Sequence, residues 1–190
     1  IILLARDKRS LIALRDQFGA EKPVTTSVAL VWGVPKQDQW EIDAPLGRHP
    51  RQPGLIRVDR LRGKKSVTRF WVERRGETHS LVRCQSLTGR AFQERIHLRR
   101  SGLRVVGDAV YGGGPLLLSK LKPAYKFKPN RPELPLMGRV ALHTSQVDVV
   151  HPGNGTPLTI TAPLPKDFTV ALRYLHRYAG PLVHVSAPSG

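Results

Sequence analysis

The run from Thr88 to Gly114, TGRAFQERIHLRRSGLRVVGDAVYGGG, gathers the residues of this chain best suited to chemistry. Five arginines stand in it: Arg90, Arg95, Arg99, Arg100 and Arg104. A guanidinium is a rigid fork of donors that stays charged at any working pH, so each one needs an anion opposite it, a phosphate or a carboxylate. Arg95 is the sharpest case. It either holds the phosphate of a nucleotide turned out of its stack or pairs with a carboxylate, with Asp108 as the intramolecular choice. Asp108 itself, in VVGD, reads as a brace for the turn that follows and not as a nucleophile. Gly112 to Gly114 read as that turn. No Lys-Ser/Thr follows them, so they are not a phosphate cradle.

The elements that must position these groups are legible in outline. Ala91 to Arg100 has helical spacing, with Phe92 and Ile96 on one face and Arg95 and Arg99 on another. Asp7 is placed to cap a helix carrying Leu11, Leu14 and Phe18. VTTSVALVWG, β-branched and bounded by Pro and Gly, predicts a strand. Pro35 to Gly63 reads as loops around short strands near Trp40–Ile42 and Leu55–Val58. SVTRFWVERR and THSLVRCQSL alternate on either side of Gly76 and predict an antiparallel hairpin. Residues 119 to 135, rich in Pro and Lys, predict a loop outside the core. VALHTSQVDVVHP and PLTITAPLP predict two more strands around GNG. A helix from Asp167 presents Phe168, Ala171, Leu172 and Leu175 inward. The opening IILLA reads as a core strand with no lead-in, which predicts that Ile1 is not the natural start. The sum is an α+β fold, a mostly antiparallel mixed sheet with flanking helices.

Charge bounds the partner. Thirty-one Lys and Arg against fourteen Asp and Glu leave +17, with a pI near 11.1. A compact body of 190 residues with that balance repels itself unless a polyanion lies against it, so nucleic acid leads. No amphipathic basic helix or long apolar run argues for a membrane. Three basic groups are the expected phosphate contacts: Arg60, Arg62, Lys64, Lys65 and Arg69; Arg99, Arg100 and Arg104; and Lys120, Lys122, Lys126 and Lys128. Any one of them alone is ordinary solvated charge, and together they fix position without reading sequence. The lone Cys84 excludes a disulfide framework or thiolate metal cluster and sits where a strand residue belongs. His97, His143 and His151 have no ligand spacing, and Trp32, Trp40, Trp71 and Phe70 read as core. Neither metal nor cofactor is expected.

In order along the chain stand ILLARDK, QF, ALVWG, PLGRHP, GK, TGR, RIHL, VVGD, YGG, ALH, HP and APLPKDF. From Ile1 to about Leu175 this series resembles the RluA/RluD-type pseudouridine synthase family. The resemblance implies that family's catalytic-domain fold over residues 1–180, with an N-terminal part of the family domain preceding it and a tail over 181–190. It implies a cofactor-free isomerisation: a uridine is flipped out of RNA, because the reacting atoms are hidden in a stacked helix, and an aspartate assists cleavage of its glycosidic bond before the base rejoins through carbon. That aspartate belongs to a motif resembling His-Arg-Leu-Asp, upstream of the strand that is here IILLARD. It is not among these residues.

The family arginine that partners the aspartate corresponds to Arg95, in a motif that here reads Thr88, Gly89, Arg90, Ala91, Phe92, Gln93, Glu94, Arg95. Arg90, Gln93, Arg95 and Ser27 are the active-site-like positions. The departures are specific. A base-stacking tyrosine is implied at Ser27 and a lysine at Thr25. A Thr-His pair has become Ala91–Phe92, an apolar position has become Glu94, and Gly-His-Pro has become Gly102-Leu103-Arg104. Two functions follow as expectations. One is an RNA-binding ribosome assembly or scaffold factor that keeps the fold on ribosomal RNA, with ribosomal or assembly-factor proteins as neighbours. The other is an active synthase whose aspartate lies upstream of Ile1. The partner is RNA and not DNA, and the expected setting is intracellular, on a mitochondrial or other organellar ribosome, with the cytoplasm as the alternative.

Overall fold

The computed structural model describes residues 1–185. Its elements run α1 (Lys8–Gly19), β1 (Val24–Trp32), β2 (Gln39–Asp43), β3 (Leu46–Arg48), β4 (Ile56–Val58), β5 (Val67–Arg75), β6 (His79–Ser86), α2 (Gln93–Arg100), β7 (Arg104–Val105), α3 (Leu118–Leu121), β8 (Leu142–Val150), β9 (Pro157–Thr161), α4 (Lys166–Tyr178) and β10 (Val183–His184). The main sheet has the order β10-β5-β6-β1-β8-β9, with β2 also on β5 and β7 also on β1, and β3 and β4 form a separate ribbon. Every pairing among the described strands is antiparallel, so the sheet is α+β as expected but has no parallel pair to make it mixed.

β1 is the spine. Its alternating β-branched and small residues fit a strand covered on both faces, and Ala29, Leu30 and Val31 are fully buried. β6 pairs along it from Thr25 to Trp32, while β8 takes its first part and β7 its last. α4 lays Phe168, Ala171, Leu172 and Leu175 on the sheet, as their spacing requires. Burying a side chain such as Phe168 or Leu175 contributes about 2 kcal/mol each. Phe70 joins the same core, with Trp40 stacked on it at 5.0 Å. Cys84 is fully buried in β6, a core residue.

Three expectations need correction. IILLA is not a strand: no described strand pairs with it, and Ile2 and Leu4 are more than four-fifths exposed. The helix after Asp7 forms as capped, with Asp7 Oδ1 accepting from Ser10 N at 2.8 Å, but its apolar stripe finds no cover, since no residue of α1 is buried. The expected tail is not loose where it is described. Leu182 packs on the core and Val183–His184 pairs with Arg75 and Arg74 as a further edge strand; residues 186–190 lie outside the described part.

Candidate functional site

A cleft of about 430 Å³ opens where β1, β6 and β8 meet the start of α2. All four active-site-like positions line it: Ser27, Arg90, Gln93 and Arg95. Its construction begins with an irregularity. Between Thr26 and Ser27 the β1–β8 register shifts, so that Thr26 faces Gln146 while Ser27 faces Thr144. The skipped Ser145 ties the bulge down by donating to the Thr26 carbonyl at 3.2 Å. Bulges of this kind re-aim side chains beside functional sites. Here the bulge leaves Ser27 on the cleft floor, 3.3 Å from the Thr144 hydroxyl and itself only 1% exposed.

α2 builds the opposite wall. Its helix starts at Gln93, not at Ala91, because Phe92 caps it in the left-handed region with φ 58. Such a conformation is a strained choice for an aromatic residue and is concentrated at functional sites. Phe92, expected to share a helical face with Ile96, therefore stands just outside the helix. Phe92 is 41% exposed, and its ring stands over the Arg95 guanidinium at 4.8 Å.

Arg95 resolves in favour of the carboxylate. Its Nε and Nη2 donate to Asp108 at 2.7 and 2.6 Å, and Tyr111 closes the other side at 4.8 Å. Asp108 is 1% exposed and also accepts from Tyr111 N, which makes it the brace anticipated for the turn. Burial pushes its carboxyl up, but the Arg95 and Tyr111 hydrogen bonds outweigh that and hold it below the ordinary value. The turn depends on two glycines. Gly107 has φ 75 with the Arg139 carbonyl 2.5 Å from where a Cβ would sit, and at Gly113 a Cβ would lie 1.7 Å from the Val105 carbonyl.

The other anticipated groups are also engaged. Arg90 forms an ion pair with Glu21 at 2.5 Å. Gln93 is buried scaffolding, donating to Val67 O and Thr68 Oγ1 and accepting from Thr88. Glu94, noted in the sequence only as a departure, proves to line the cleft. Ser86 donates to it at 3.2 Å, and burial lifts its carboxyl above the ordinary value. Sequence reading also missed Thr144, Ser86 and Tyr111; the first two belong to strands whose register no local pattern reveals.

The basic groups divide. Arg99 and Arg100 line another groove, of about 310 Å³, together with Arg57, which sequence reading left out. Arg69 is paired with Glu41 at 2.7 Å and is therefore partly neutralised. Arg60, Arg62, Lys64, Lys65, Arg104, Lys120, Lys122, Lys126 and Lys128 are exposed. Among the described residues no group of three or more His, Cys, Asp or Glu could hold a metal ion, and no helix is long and apolar enough to cross a membrane. His97 is a buried structural residue, with Thr68 Oγ1 at 2.9 Å and the Ala44 carbonyl at 3.0 Å from its ring nitrogens.

Comparison with known proteins agrees with this architecture. The chain is 32% identical over 176 residues to an RNA pseudouridine synthase of Chlorobaculum parvum, covering 90% of this chain and 53% of that one. It is 31% identical over 167 residues to ribosomal large subunit pseudouridine synthase D of Xanthomonas campestris (88% and 48% covered), and 30% identical over 181 residues to ribosomal large subunit pseudouridine synthase C of Salmonella typhi (94% and 53%). The chain thus spans about half the length of these relatives. Human RNA pseudouridylate synthase domain containing 1 superposes on 97% of this chain and 70% of its own, with a TM-score of 0.68 at 21% identity, a likeness of fold. The family model described as RNA pseudouridylate synthase matches residues 1–100, and with the ordered series of short motifs this places the chain in the RluA-type RNA pseudouridine synthase family.

Proposed function

We propose that this chain binds structured RNA, ribosomal RNA above all, holds an unstacked nucleotide in the cleft, and serves as a ribosome assembly or scaffold factor instead of isomerising the base. The observation that carries this is the cleft floor. Where the resemblance places a stacking tyrosine, Ser27 is buried and tied to Thr144, and a hydroxyl cannot stack on a base. The ribosomal RNA assignment is supported by relatives named as ribosomal large subunit synthases and by the net charge of +17. Ribosomal or assembly-factor proteins as neighbours, and an organellar ribosome as the setting, belong to the same proposal.

A second reading has its own observation. Arg95, the family's partner for the catalytic aspartate, is kept and held rigidly in the cleft by Asp108, which suits an active synthase completed by a segment preceding Ile1. Mapping pseudouridines in RNA from cells lacking the protein separates the two. The scaffold reading expects every modification intact with stalled ribosome maturation. Loss of one defined pseudouridine with normal maturation overturns it.

A further inference from the structure

We infer that Glu94 is the group that reads the base: its carboxyl accepts a hydrogen bond from the ring N3–H of a uracil lodged in the cleft. The inference rests on the proposal that the cleft holds an unstacked nucleotide, and it adds which edge is recognised and by what.

Three observations converge on Glu94. First, it lines the cleft in the first turn of α2, an otherwise rigid position. Second, the cleft's other charged side chains are already ion-paired within the protein, Arg90 with Glu21, although its buried Nε keeps no partner, and Arg95 with Asp108. Third, Glu94 has no cationic partner among the described residues. The Ser86 hydroxyl donates to it at 3.2 Å. A carboxyl offers about four lone-pair sites, so one hydroxyl donor leaves acceptor capacity unused. Those remaining acceptor sites are open to the cleft, where a ligand can take them.

The surroundings suit a pyrimidine. Phe92, Val140 and Leu142 give the cleft apolar surfaces on which a ring face can rest, while the hydroxyls of Ser27, Thr144 and Ser86 gather on its floor beside the carboxyl. The imide N3–H of uracil is a donor aimed outward between two carbonyl oxygens, and it matches a carboxyl oxygen. Burial holds Glu94 towards its neutral form, which also supplies an O–H able to donate to the adjacent carbonyl. Glu94 would thus replace stacking with edge recognition, a change made possible by the loss of aromatic bulk at residue 27.

The test uses the full chain and two fluorescent RNA hairpins that differ only in their loop nucleotides, uridine in one and 3-methyluridine in the other. The methyl group removes the N3–H and leaves the phosphates untouched. The wild-type chain should favour the uridine hairpin by about ten-fold, the worth of one hydrogen bond to a buried carboxyl. Glu94→Gln keeps an acceptor and a donor in place and should retain that preference. Glu94→Ala, which also leaves room for the methyl group, should bind both hairpins equally with its salt dependence unchanged. The inference is overturned if Glu94→Ala discriminates as the wild type does, or if the wild type binds both hairpins alike. Failure of the wild type to bind either hairpin at low salt would instead defeat the RNA-binding proposal beneath it.

Discussion

At the scale of single residues the cleft is governed by how each charge is answered. Asp108 was legible as a brace from VVGD alone, and Arg95 was legible as needing an anion; that each answers the other required the turn through Gly107 and Gly113 to be folded. Because Asp108 is 1% exposed and Arg95 14%, cutting one partner strands the other. Asp108→Asn should cost about 3 kcal/mol in denaturant unfolding, since it leaves an uncompensated buried guanidinium. The folded Asp108 carboxyl sits below its unfolded value of 3.8, so its contribution is complete above that pH and drains away as pH falls through the folded value. Glu94 has the opposite sign. Its folded carboxyl is raised above 4.5, hence the folded state resists ionisation and loses stability as pH climbs from 4.5 towards the raised value. In melting curves the stability of the wild type minus that of Glu94→Gln should fall across that range, the gain from groups common to both cancelling. A difference that stays level would mean the carboxyl is well solvated. Phe92 was misjudged in the sequence because helical spacing cannot reveal a left-handed cap.

At the scale of elements, long alternating segments declared themselves and short ones did not. The β5–β6 hairpin follows from alternation on either side of Gly76, and α4 from its inward stripe of Phe168, Ala171, Leu172 and Leu175. β3, β7 and β10 are three or two residues long and exist only because a neighbour offers its edge, so no local signal could announce them. IILLA fails for the converse reason: apolar residues make a strand only where a partner edge is free. The hairpin also carries a titratable element. His79 begins β6 at 3% exposure with its ring 4.3 Å from Trp32, and burial lowers its pKa from 6.5 to about 4. The folded protein therefore keeps His79 neutral where the unfolded chain would take a proton. Stability from this residue is present above pH 6.5 and is lost as pH falls from there towards 4, by up to about 3 kcal/mol. Urea unfolding at pH 7 and pH 4.5 should differ by much less in His79→Gln than in the wild type. An equal loss in both would place the acid sensitivity elsewhere.

For the whole molecule the question is where the excess positive charge goes. The seven ion pairs among the described residues all use arginine, and the lysines take no part. Arginine's fixed fork favours such pairing, whereas lysine's flexible, strongly hydrated ammonium remains available to a diffuse polyanion. Exposed arginines outside those pairs, such as Arg60, Arg62 and Arg104, share that attraction, and the exposed loop with Lys120, Lys122, Lys126 and Lys128 is the clearest place to test it alone. Binding that neutralises about six phosphates loses on the order of a thousand-fold in affinity between 50 and 200 mM salt. Replacing those four lysines by glutamine should weaken binding to every structured RNA alike and flatten the slope of log affinity against log salt by about 0.7 to 0.9 for each lysine that touches a phosphate. Preference between the uridine and 3-methyluridine hairpins should be untouched, because phosphate contacts carry no information about the base. Filter binding across a salt series measures both quantities in one experiment. If the slope keeps its wild-type value, the loop lies away from the RNA, and the groove of Arg57, Arg99 and Arg100 becomes the cationic surface that must account for binding.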